Sequence, residues 1–268
     1  MVVLQAVRTA LFYPLFLGQT VILALIVGTV SIIGGRTRFG WVVAKYWANA
    51  NLVLLRWVVG IRSEVTGTGN LPAGPCIIAG KHMSDWDIFA LLPHTNERPA
   101  FMAKKELMDI PFFGHAARSF DTIMVDRRAG AEGIPRMMED ARQALARGCR
   151  LIIFPEGTRK APLAPPDYRQ GIVRMYLELG VPVVPVALDS GLYWGRNSLL
   201  LWPGTARAKF LPAIQPGLDA AEFQRRFVGA VEAETRTMVL DAIDRGIARP
   251  ITGELKQRVT AARQAAVV

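Results

Sequence analysis

The chain has 268 residues, of which 51 % are hydrophobic, so it is long and apolar enough to bury a core and is not an intrinsically disordered protein. Its formal net charge of +10 favours an anionic partner, which could be nucleic acid, anionic lipid or a phosphorylated metabolite. The two cysteines, Cys76 and Cys149, each adjoin an apolar run, a placement typical of buried free thiols rather than of a disulfide framework.

The amino-terminal segment predicts a membrane helix. Residues 9–35 contain no charged side chain, and about 20 apolar residues in a helix are enough to span a bilayer. A secretory signal is the alternative, but the run exceeds the usual length of roughly 7–15 residues and no Ala-x-Ala cleavage pattern follows it. Because arginines flank both ends and Pro14 would permit a bend, the sequence leaves open whether the segment spans the bilayer or enters it and returns.

The next segment, residues 41–60, carries four aromatic side chains among aliphatic ones and only two charges. This pattern predicts a helix at the headgroup boundary of a membrane. An ordinary core helix is the alternative. We therefore predict that residues 1–62 form membrane-associated helices and that residues 63–268 form a second domain.

Beyond residue 62, short apolar runs alternate with longer amphipathic segments, which is the rhythm of a sheet covered by helices. The strands are predicted at residues 76–79, 100–103, 122–125, 151–154, 183–188 and 206–211. Helices are predicted at residues 87–92, 133–147 and 171–178, and Gly148 is expected to end the second of these. The sequence therefore predicts an α/β domain.

The carboxy-terminal part predicts one more amphipathic helix over residues 218–247, followed by a basic tail around Lys256, Arg258 and Arg263. We interpret the end of the chain as a solvated helix face and a frayed terminus. A role at the membrane surface is the alternative.

The polar turn after the predicted strand at residues 76–79 holds a candidate acid/base pair, His82 and Asp87. Five positions on an ideal helix place two residues about 140° apart, so this pair can meet only across a turn. Ser84 and Asp87 have the spacing of a capping box, which would put Asp87 in the first helical turn, facing the loop that holds His82. There the carboxylate could fix the imidazole tautomer and leave the second nitrogen to take a proton. A capping box without any catalysis is the alternative.

Cationic side chains follow several predicted strands. Arg159 lies in the turn after residues 151–154, and Lys105 and Arg127 stand at or just beyond the ends of two other apolar runs. A guanidinium can hold a phosphate by two parallel hydrogen bonds. Ligands of open α/β sheets bind outside the carboxyl ends of the strands, where His82 and Arg159 would both fall. The pattern indicates an anion site; a surface arginine in a turn is the alternative.

Other kinds of chemistry have no positive support in the sequence. His94 and His115 lack a second ligand at a metal-binding spacing, so no metal site is predicted and both are interpreted as surface or loop residues. No Gly-x-Ser-x-Gly turn or Gly-rich phosphate loop appears, and neither cysteine has a histidine near it in sequence.

Four blocks of the chain resemble, in the same order, those of the glycerolipid acyltransferases, and among them the 1-acylglycerol-3-phosphate (lysophosphatidate) acyltransferases. The blocks are His82 and Asp87 with four residues between them, residues 125–127 (Val-Asp-Arg), residues 154–159 (Phe-Pro-Glu-Gly-Thr-Arg) and residues 181–186 (Val-Pro-Val-Val-Pro-Val). The resemblance covers roughly residues 70–217. The chain departs from the family pattern at Lys81, where asparagine is frequent, and at Lys160, where serine is usual.

The resemblance implies a fold and a reaction. The fold would be an α/β domain with a central mixed sheet covered by helices, preceded by a membrane-embedded helical segment. The reaction would be transfer of a fatty acyl group from an acyl thioester, acyl-coenzyme A or acyl-carrier protein, to the free hydroxyl of lysophosphatidate. The product would be phosphatidate for phospholipid synthesis. The donor is a co-substrate, and no bound cofactor is implied.

The resemblance also implies roles for individual residues. His82, oriented by Asp87, would remove the proton of the acceptor hydroxyl as the oxygen attacks the thioester carbonyl, without an acyl-enzyme intermediate. Arg159, with Arg127 and Lys105, would hold the acceptor phosphate.

The other residues of the third block, Glu156, Gly157 and Thr158, would shape the turn and line the acceptor site.

The implied substrates would explain the membrane segment and the positive charge. Acceptor and product reside in the bilayer whereas the donor is soluble, so the catalytic domain would sit at the interface and its basic surplus would attract anionic headgroups. Because the donor is made in the cytoplasm, we expect the cytoplasmic face of the inner or plasma membrane.

Two alternatives to this function stay open: the same chemistry on another lyso-lipid, and a catalytically silent lipid-binding protein of the membrane. Nucleic acid is not an expected partner, because no interleaved basic and aromatic surface motif appears outside the membrane-like segment.

Overall fold

A mixed sheet of seven strands forms the centre of the computed structural model, which describes residues 2–34, 38–95, 98–110, 113–118, 121–126 and 128–265. The strands are β1 (Ile61–Thr66), β2 (Cys76–Gly80), β3 (Pro99–Lys104), β4 (Ile123–Val125), β5 (Arg150–Ile153), β6 (Val183–Leu188) and β7 (Gly204–Phe210). Their spatial order is β1-β7-β6-β2-β5-β3-β4. Strands β6, β2, β5, β3 and β4 run parallel, while β7 lies antiparallel to β6 and pairs in parallel with β1. The predicted α/β fold with a mixed sheet is confirmed.

Helices surround the sheet. They are α1 (Val2–Gly34), α2 (Arg38–Leu54), α3 (Trp86–Leu91), α4 (Lys105–Met108), α5 (Phe113–Arg118), α6 (Ile134–Ala146), α7 (Gly171–Leu179), α8 (Ala220–Asp244) and α9 (Gly253–Gln264). A single π-helical turn, Leu55–Val59, continues α2. Gly148 adopts a left-handed φ of 82° after α6, and its N–H donates to the Leu145 carbonyl at 2.8 Å, as expected of a helix end.

Two hydrophobic clusters fill the two faces of the sheet. Successive residues of a strand point to opposite faces, so Cys76 and Ile78 of β2 join one cluster and Ile77 and Ala79 join the other. The first face is covered by α1, α2, α3, α9 and the second half of α8. The second face is covered by α6, α7 and the first half of α8. Strand β6 is buried along its whole length, which explains its continuous apolar sequence.

The structure departs from the sequence prediction at strand β1, which the pattern missed. The strand lies at one end of the sheet and its burial alternates poorly, because Ile61 is buried whereas Arg62, Ser63 and Glu64 are exposed. An edge strand that faces solvent needs few apolar residues, so no hydrophobic period marks it.

The prediction of a frayed carboxy terminus is wrong. Residues 253–264 form helix α9, whose Leu255 and Val259 are buried in the same cluster as Val239 and Ala242 of α8. Two apolar residues four positions apart in a basic segment are enough to dock a short helix against a larger surface. Among the basic side chains of this segment, Arg258 donates to Glu254 of the same helix and Arg263 donates to Asp244 of α8.

Helix α1 is long and apolar enough to cross a membrane. An 18-residue window within residues 2–33 reaches a mean hydropathy of 2.2, and only 11 % of that window is buried inside the protein. Phe12 nevertheless joins the core of the first sheet face, together with Ala44, Ala48 and Leu55 from the segment that follows. The amino-terminal helices therefore combine a candidate membrane surface with a firm contact to the sheet.

Helix α2 has two unlike faces. Ala48 and Asn51 are fully buried, whereas Val42, Tyr46 and Val53 are exposed to solvent. Side chains also join the two amino-terminal helices, since Trp47 Nε1 donates to Thr20 Oγ1 at 2.8 Å. The exposed apolar face agrees with the predicted position of α2 at a membrane boundary.

Candidate active site

Two polar turns leave the sheet side by side at the carboxyl ends of β2 and β5. The strands are paired in parallel from Cys76 opposite Arg150 to Ala79 opposite Ile153. The turns they feed are therefore adjacent, and a hydrogen bond of 2.7 Å from Lys160 N to His82 O joins them. This arrangement places the predicted His82 and Arg159 turns at one edge of the sheet, where α/β folds bind ligands.

His82 and Asp87 form a hydrogen-bonded pair across the first turn of α3. The distance from His82 Nδ1 to Asp87 Oδ2 is 2.8 Å. Asp87 Oδ2 also accepts hydrogen bonds from the backbone N–H groups of Met83 at 2.7 Å and Ser84 at 2.9 Å. The bond from Ser84 N is one half of the capping box that the spacing predicts; Ser84 Oγ accepts from Trp86 N at 3.1 Å instead of from Asp87 N.

Ser190 completes the hydrogen bonding of Asp87 and was not predicted. It follows β6 in the chain, and its Oγ donates to Asp87 Oδ1. Both residues are fully buried. Strand β6 pairs with β2, with Gly80 opposite Val186, so the turn after β6 opens beside the turn that holds His82. The available sequence clue was the polar pair Asp189 and Ser190 after a buried apolar strand.

The imidazole of His82 lies flat against the ring of Phe154. The ring centroids are 4.0 Å apart and the planes are inclined by 15°. The imidazole is thus clamped between an aromatic face and the Asp87 carboxylate, while 15 % of the side chain remains exposed. Since Asp87 Oδ2 is already an acceptor for two backbone N–H groups, Nδ1 carries the hydrogen and Nε2 is the basic nitrogen.

Glu156 is fully buried beneath His82. Its Oε2 accepts a hydrogen bond from His82 N at 3.3 Å, and its Oε1 lies 3.7 Å from Lys81 Nζ. Burial raises the pKa of Glu156, and the nearby Lys81 ammonium is the largest influence that lowers it. The carboxylate faces the turn that carries the histidine, so its geometry is that of a support for the loop that holds His82.

Arg159 reaches across to the turn of α3, where its Nη1 donates to Asp85 Oδ2 at 2.5 Å. Burial raises the pKa of Asp85, and the Arg159 guanidinium lowers it. Both side chains are partly exposed, at 27 % for Arg159 and 41 % for Asp85. The guanidinium therefore lies at the mouth of the His82 site with a displaceable carboxylate as its partner.

The other predicted residues occupy the surrounding turns. Gly157 adopts a φ of 65°, a left-handed conformation that allows the sharp turn between Glu156 and Arg159. Thr158 follows it in the same turn.

Lys105 lies further along the edge, after β3. Its Nζ donates to Asp126 Oδ2 at 2.8 Å, and more than half of its side chain is exposed. Arg127, next to Asp126, lies outside the described residues.

The described side chains outside this site do not suggest other chemistry. Cys76 and Cys149 are free and buried, as predicted. His94 is partly buried beside Phe210, and His115 is exposed on α5. No group of three His, Cys, Asp or Glu side chains in the described ranges is arranged to hold a metal ion.

The site as a whole offers a base and a cation next to each other. A histidine with one nitrogen bound to a buried carboxylate and the other open can accept a proton from a hydroxyl. A guanidinium at the mouth can hold an anionic group of the same substrate. A mixed α/β fold with this site defines the class of acyltransferases, and residues 62–189, from β1 to the end of β6, match the family model described as Acyltransferase.

The chain is also similar to curated proteins along most of its length. It is 34 % identical over 215 residues to the 1-acyl-sn-glycerol-3-phosphate acyltransferase of Pseudomonas aeruginosa, which covers 78 % of this chain and 81 % of that protein. It is 26 % identical over 166 residues to the mouse 1-acyl-sn-glycerol-3-phosphate acyltransferase alpha, covering 61 % of this chain and 58 % of the mouse protein. The chain therefore belongs to the 1-acyl-sn-glycerol-3-phosphate acyltransferase family.

The fold agrees with a solved structure. The crystal structure of the 1-acyl-sn-glycerophosphate acyltransferase from Thermotoga maritima superimposes with a TM-score of 0.71, covering 87 % of this chain and 97 % of that one. The two sequences are 20 % identical, so this likeness concerns the fold.

Proposed function

We propose that this acyltransferase moves a fatty acyl group from a soluble acyl thioester to the free hydroxyl of lysophosphatidate and releases phosphatidate. The observation that carries the proposal is the His82–Asp87 pair, held at 2.8 Å next to the Arg159 guanidinium at the carboxyl edge of the sheet. The similarity to proteins named for this reaction supports it.

The chemistry follows from the orientation of the imidazole. His82 Nε2 takes the proton from the acceptor hydroxyl while the oxygen attacks the thioester carbonyl carbon. The resulting tetrahedral intermediate collapses with breakage of the C–S bond, and the proton passes from Nε2 to the departing thiolate. Asp87 holds the ring in the required tautomer and stabilises the imidazolium that forms in between.

The acceptor phosphate is assigned to Arg159. Asp85 occupies one donor of the guanidinium, and a phosphate dianion would replace that single carboxylate with a bidentate contact. Lys105 and Arg127 add positive charge further along the edge, and Gly157 and Thr158 shape the turn that carries Arg159. These four residues form the proposed acceptor site together with Arg159. Glu156, predicted to line that site, is instead fully buried behind it and bonds to His82 N.

Helix α1 would bring the lipid to this site. Tyr13 of α1 lies within electrostatic range of both Asp85 and Arg159, so the apolar helix passes close to the proposed phosphate clamp. A bilayer that embeds α1 would present lipid headgroups at that level. We propose that residues 1–62 anchor the protein, that residues 63–268 carry the reaction on the cytoplasmic face, and that the donor is acyl-coenzyme A or acyl-carrier protein.

The test is acyl transfer by the purified, detergent-solubilised protein. Palmitoyl-coenzyme A and palmitoyl-carrier protein are compared as donors to lysophosphatidate and to several other lyso-lipids. We expect phosphatidate as the product. His82→Ala should lower kcat by about 10²- to 10⁴-fold, the contribution of a general base, whereas His115→Ala on exposed α5 should leave it unchanged.

Arg159→Ala tests the acceptor site in the same assay. Loss of a charge-assisted phosphate contact of roughly 1.5–3 kcal/mol should raise the lysophosphatidate KM about 10- to 100-fold, with a much smaller effect on the donor KM. An unchanged acceptor KM would remove Arg159 from the phosphate site. Transfer to a different lyso-lipid alone would keep the mechanism and change the acceptor, and transfer to none by folded protein would reject the proposed function.

A further inference from the structure

A lysine is buried directly behind the catalytic histidine. Lys81 is the residue between β2 and His82, and its side chain is fully buried. Lysine is among the residues least often buried, because an ammonium loses its hydration when it leaves water. The mechanism proposed above gives Lys81 no part.

The ammonium of Lys81 is compensated by groups from two other parts of the chain. Its Nζ donates to Glu232 Oε1 of α8 at 2.7 Å and to the Ala164 carbonyl at 3.2 Å. The Glu156 carboxylate lies 3.7 Å away. Tyr168 also belongs to this network, because its OH donates to the same Glu232 oxygen at 2.6 Å.

The network ends on the backbone of the catalytic histidine. Glu156 Oε2 accepts from His82 N at 3.3 Å, while Glu156 Oε1 has no hydrogen-bond partner among the described residues and faces the Lys81 ammonium. The carboxylate therefore spans the distance between a buried cation and the residue that carries the base. Without the cation, a buried carboxylate would favour its protonated form.

We infer that Lys81 is a positioning residue for catalysis: its charge keeps the Glu156 carboxylate ionised and in place, and Glu156 in turn fixes the backbone of His82. The inference rests on the proposed function. It assigns to α8 a second role, because Glu232 of that helix holds the Lys81 ammonium from the opposite side. The carboxy-terminal half of the chain thereby supports the turn of His82 through a contact that spans 151 residues.

A purely structural role makes a different prediction. Buried ion pairs contribute little net stability, because desolvation offsets the attraction, but loss of one partner leaves an uncompensated charge. If Lys81 serves only the fold, its replacement reduces the folded fraction and leaves the kinetics of the remaining folded enzyme unchanged. If it positions His82, the folded enzyme itself turns over more slowly.

The first variant is Lys81→Met, which keeps the length and removes the charge. We expect kcat of the folded enzyme to fall about 10- to 100-fold, with the KM values of donor and acceptor within about twofold of the native ones. Lys209→Met is the matched control. Lys209 lies on β7, away from His82, and its Nζ donates to Glu234 of the same helix α8 at 2.7 Å. Loss of this contact should leave kcat unchanged.

The double variant Lys81→Met/Glu156→Gln supplies the decisive comparison. The glutamine oxygen still accepts from His82 N and needs no counterion, so kcat should recover to within about fivefold of the native value. Removing both members of a buried pair is less damaging than removing one.

The pH profile distinguishes positioning from packing. Glu156 is faced by Lys81, the His82 N–H and Lys160 from the two turns, by Glu232 from α8 and by Tyr168 from the loop before α7. Loss of Lys81 removes the largest influence that lowers its pKa. The acidic limb of the kcat profile should therefore move to higher pH in Lys81→Met and return to the native position in the double variant.

Three results would overturn the inference: a native kcat in folded Lys81→Met, a double variant no better than Lys81→Met, or an unmoved acidic limb. Thermal unfolding of each variant gives the folded fraction for the comparison. If Lys81→Met does not fold, Glu232→Gln replaces it, since the amide weakens the hold on Lys81 without leaving a buried cation alone. A native protein without acyl transfer would instead reject the proposed function.

Discussion

Asp87 accepts hydrogen bonds from two separate parts of the chain. His82, Met83 and Ser84 belong to the turn after β2, and Ser190 belongs to the turn after β6. A carboxylate held on both oxygens cannot rotate, so it fixes the imidazole in one tautomer and one orientation. The orientation of the His82 imidazole therefore depends on Asp87 and the groups that donate hydrogen bonds to it.

Ser190→Ala tests this view. The substitution leaves Asp87 Oδ1 buried without its donor, which costs roughly 1–3 kcal/mol, and part of that cost falls on the alignment of His82. We expect kcat to fall about 10-fold, with KM values unchanged, in steady-state acyl-transfer assays.

Ser198→Ala is the control for Ser190→Ala, because Ser198 Oγ donates only to the Leu200 carbonyl in the same region, at 2.6 Å. Equal activity of Ser190→Ala and the native enzyme would mean that the backbone donors alone hold Asp87.

The sequence predicted some residues of the site and missed others. His82 and Asp87 could be found because a capping box and a five-residue interval are local features. Ser190 is 103 residues from its partner, and the contact depends on β6 lying beside β2, which no local pattern encodes. The position of Glu156 behind the site, rather than at its mouth, likewise depends on how two turns pack.

At the level of elements, the central strands determine where the residues of the candidate site lie. Strand β2 lies between β5 and β6, and the turns after all three carry site residues: His82, Phe154 and Ser190. The central strands β2, β5 and β6 were predictable, because burial on both faces of a sheet demands continuous apolar runs. Strand β1 and helix α9 were not, since each buries only one or two side chains.

The reactivity of the two buried thiols measures how often the strands beside them open to solvent. Cys76 begins β2 and Cys149 precedes β5, and burial raises their pKa values to about 11 and about 12. A raised pKa keeps a thiol protonated, so at pH 8 only a small fraction of either cysteine is the reactive thiolate.

We therefore expect neither cysteine of the native protein to react with an aromatic disulfide reagent at pH 8 within the time a free thiol needs, and both to react after addition of denaturant. Absorbance of the released thiolate measures the reaction. Rapid labelling of one thiol in the native protein would show that the strand beside it opens.

At the level of the whole molecule, the two sheet faces have different surroundings. The face under α6 and α7 is covered by helices with charged outer sides, whereas the face under α1 and α2 is covered by helices with apolar outer sides. On α1 alone, exposed large apolar residues extend from Val2 to Ile33. An apolar surface of this length on one side of a basic protein is what a bilayer with anionic headgroups would cover.

The sequence predicted this asymmetry, because an uncharged run is visible without any knowledge of packing. It could not predict that Phe12 of α1 would enter the sheet core. The division at residue 62 therefore stays a prediction. The apolar contact shows that α1 is held by the sheet domain, and the predicted bilayer would hold its exposed side.

Charge placed on the exposed side of α1 separates these two attachments. Val21 and Leu25 are 56 % and 41 % exposed and lie one helical turn apart. An arginine at the centre of a membrane helix costs about 2.5–3.5 kcal/mol on insertion scales, so Val21→Arg/Leu25→Arg should move most of the protein from the membrane fraction to the soluble fraction. Flotation with phosphatidylglycerol-containing vesicles measures the same loss. Detergent-solubilised activity should persist, because neither side chain belongs to the core.

Leu177→Arg, at 51 % exposure on α7 of the other sheet face, is the control and should float as the native protein does. Unchanged flotation of the α1 variant would place the membrane contact elsewhere on the surface, because an arginine on a helix that stays in water carries no insertion cost.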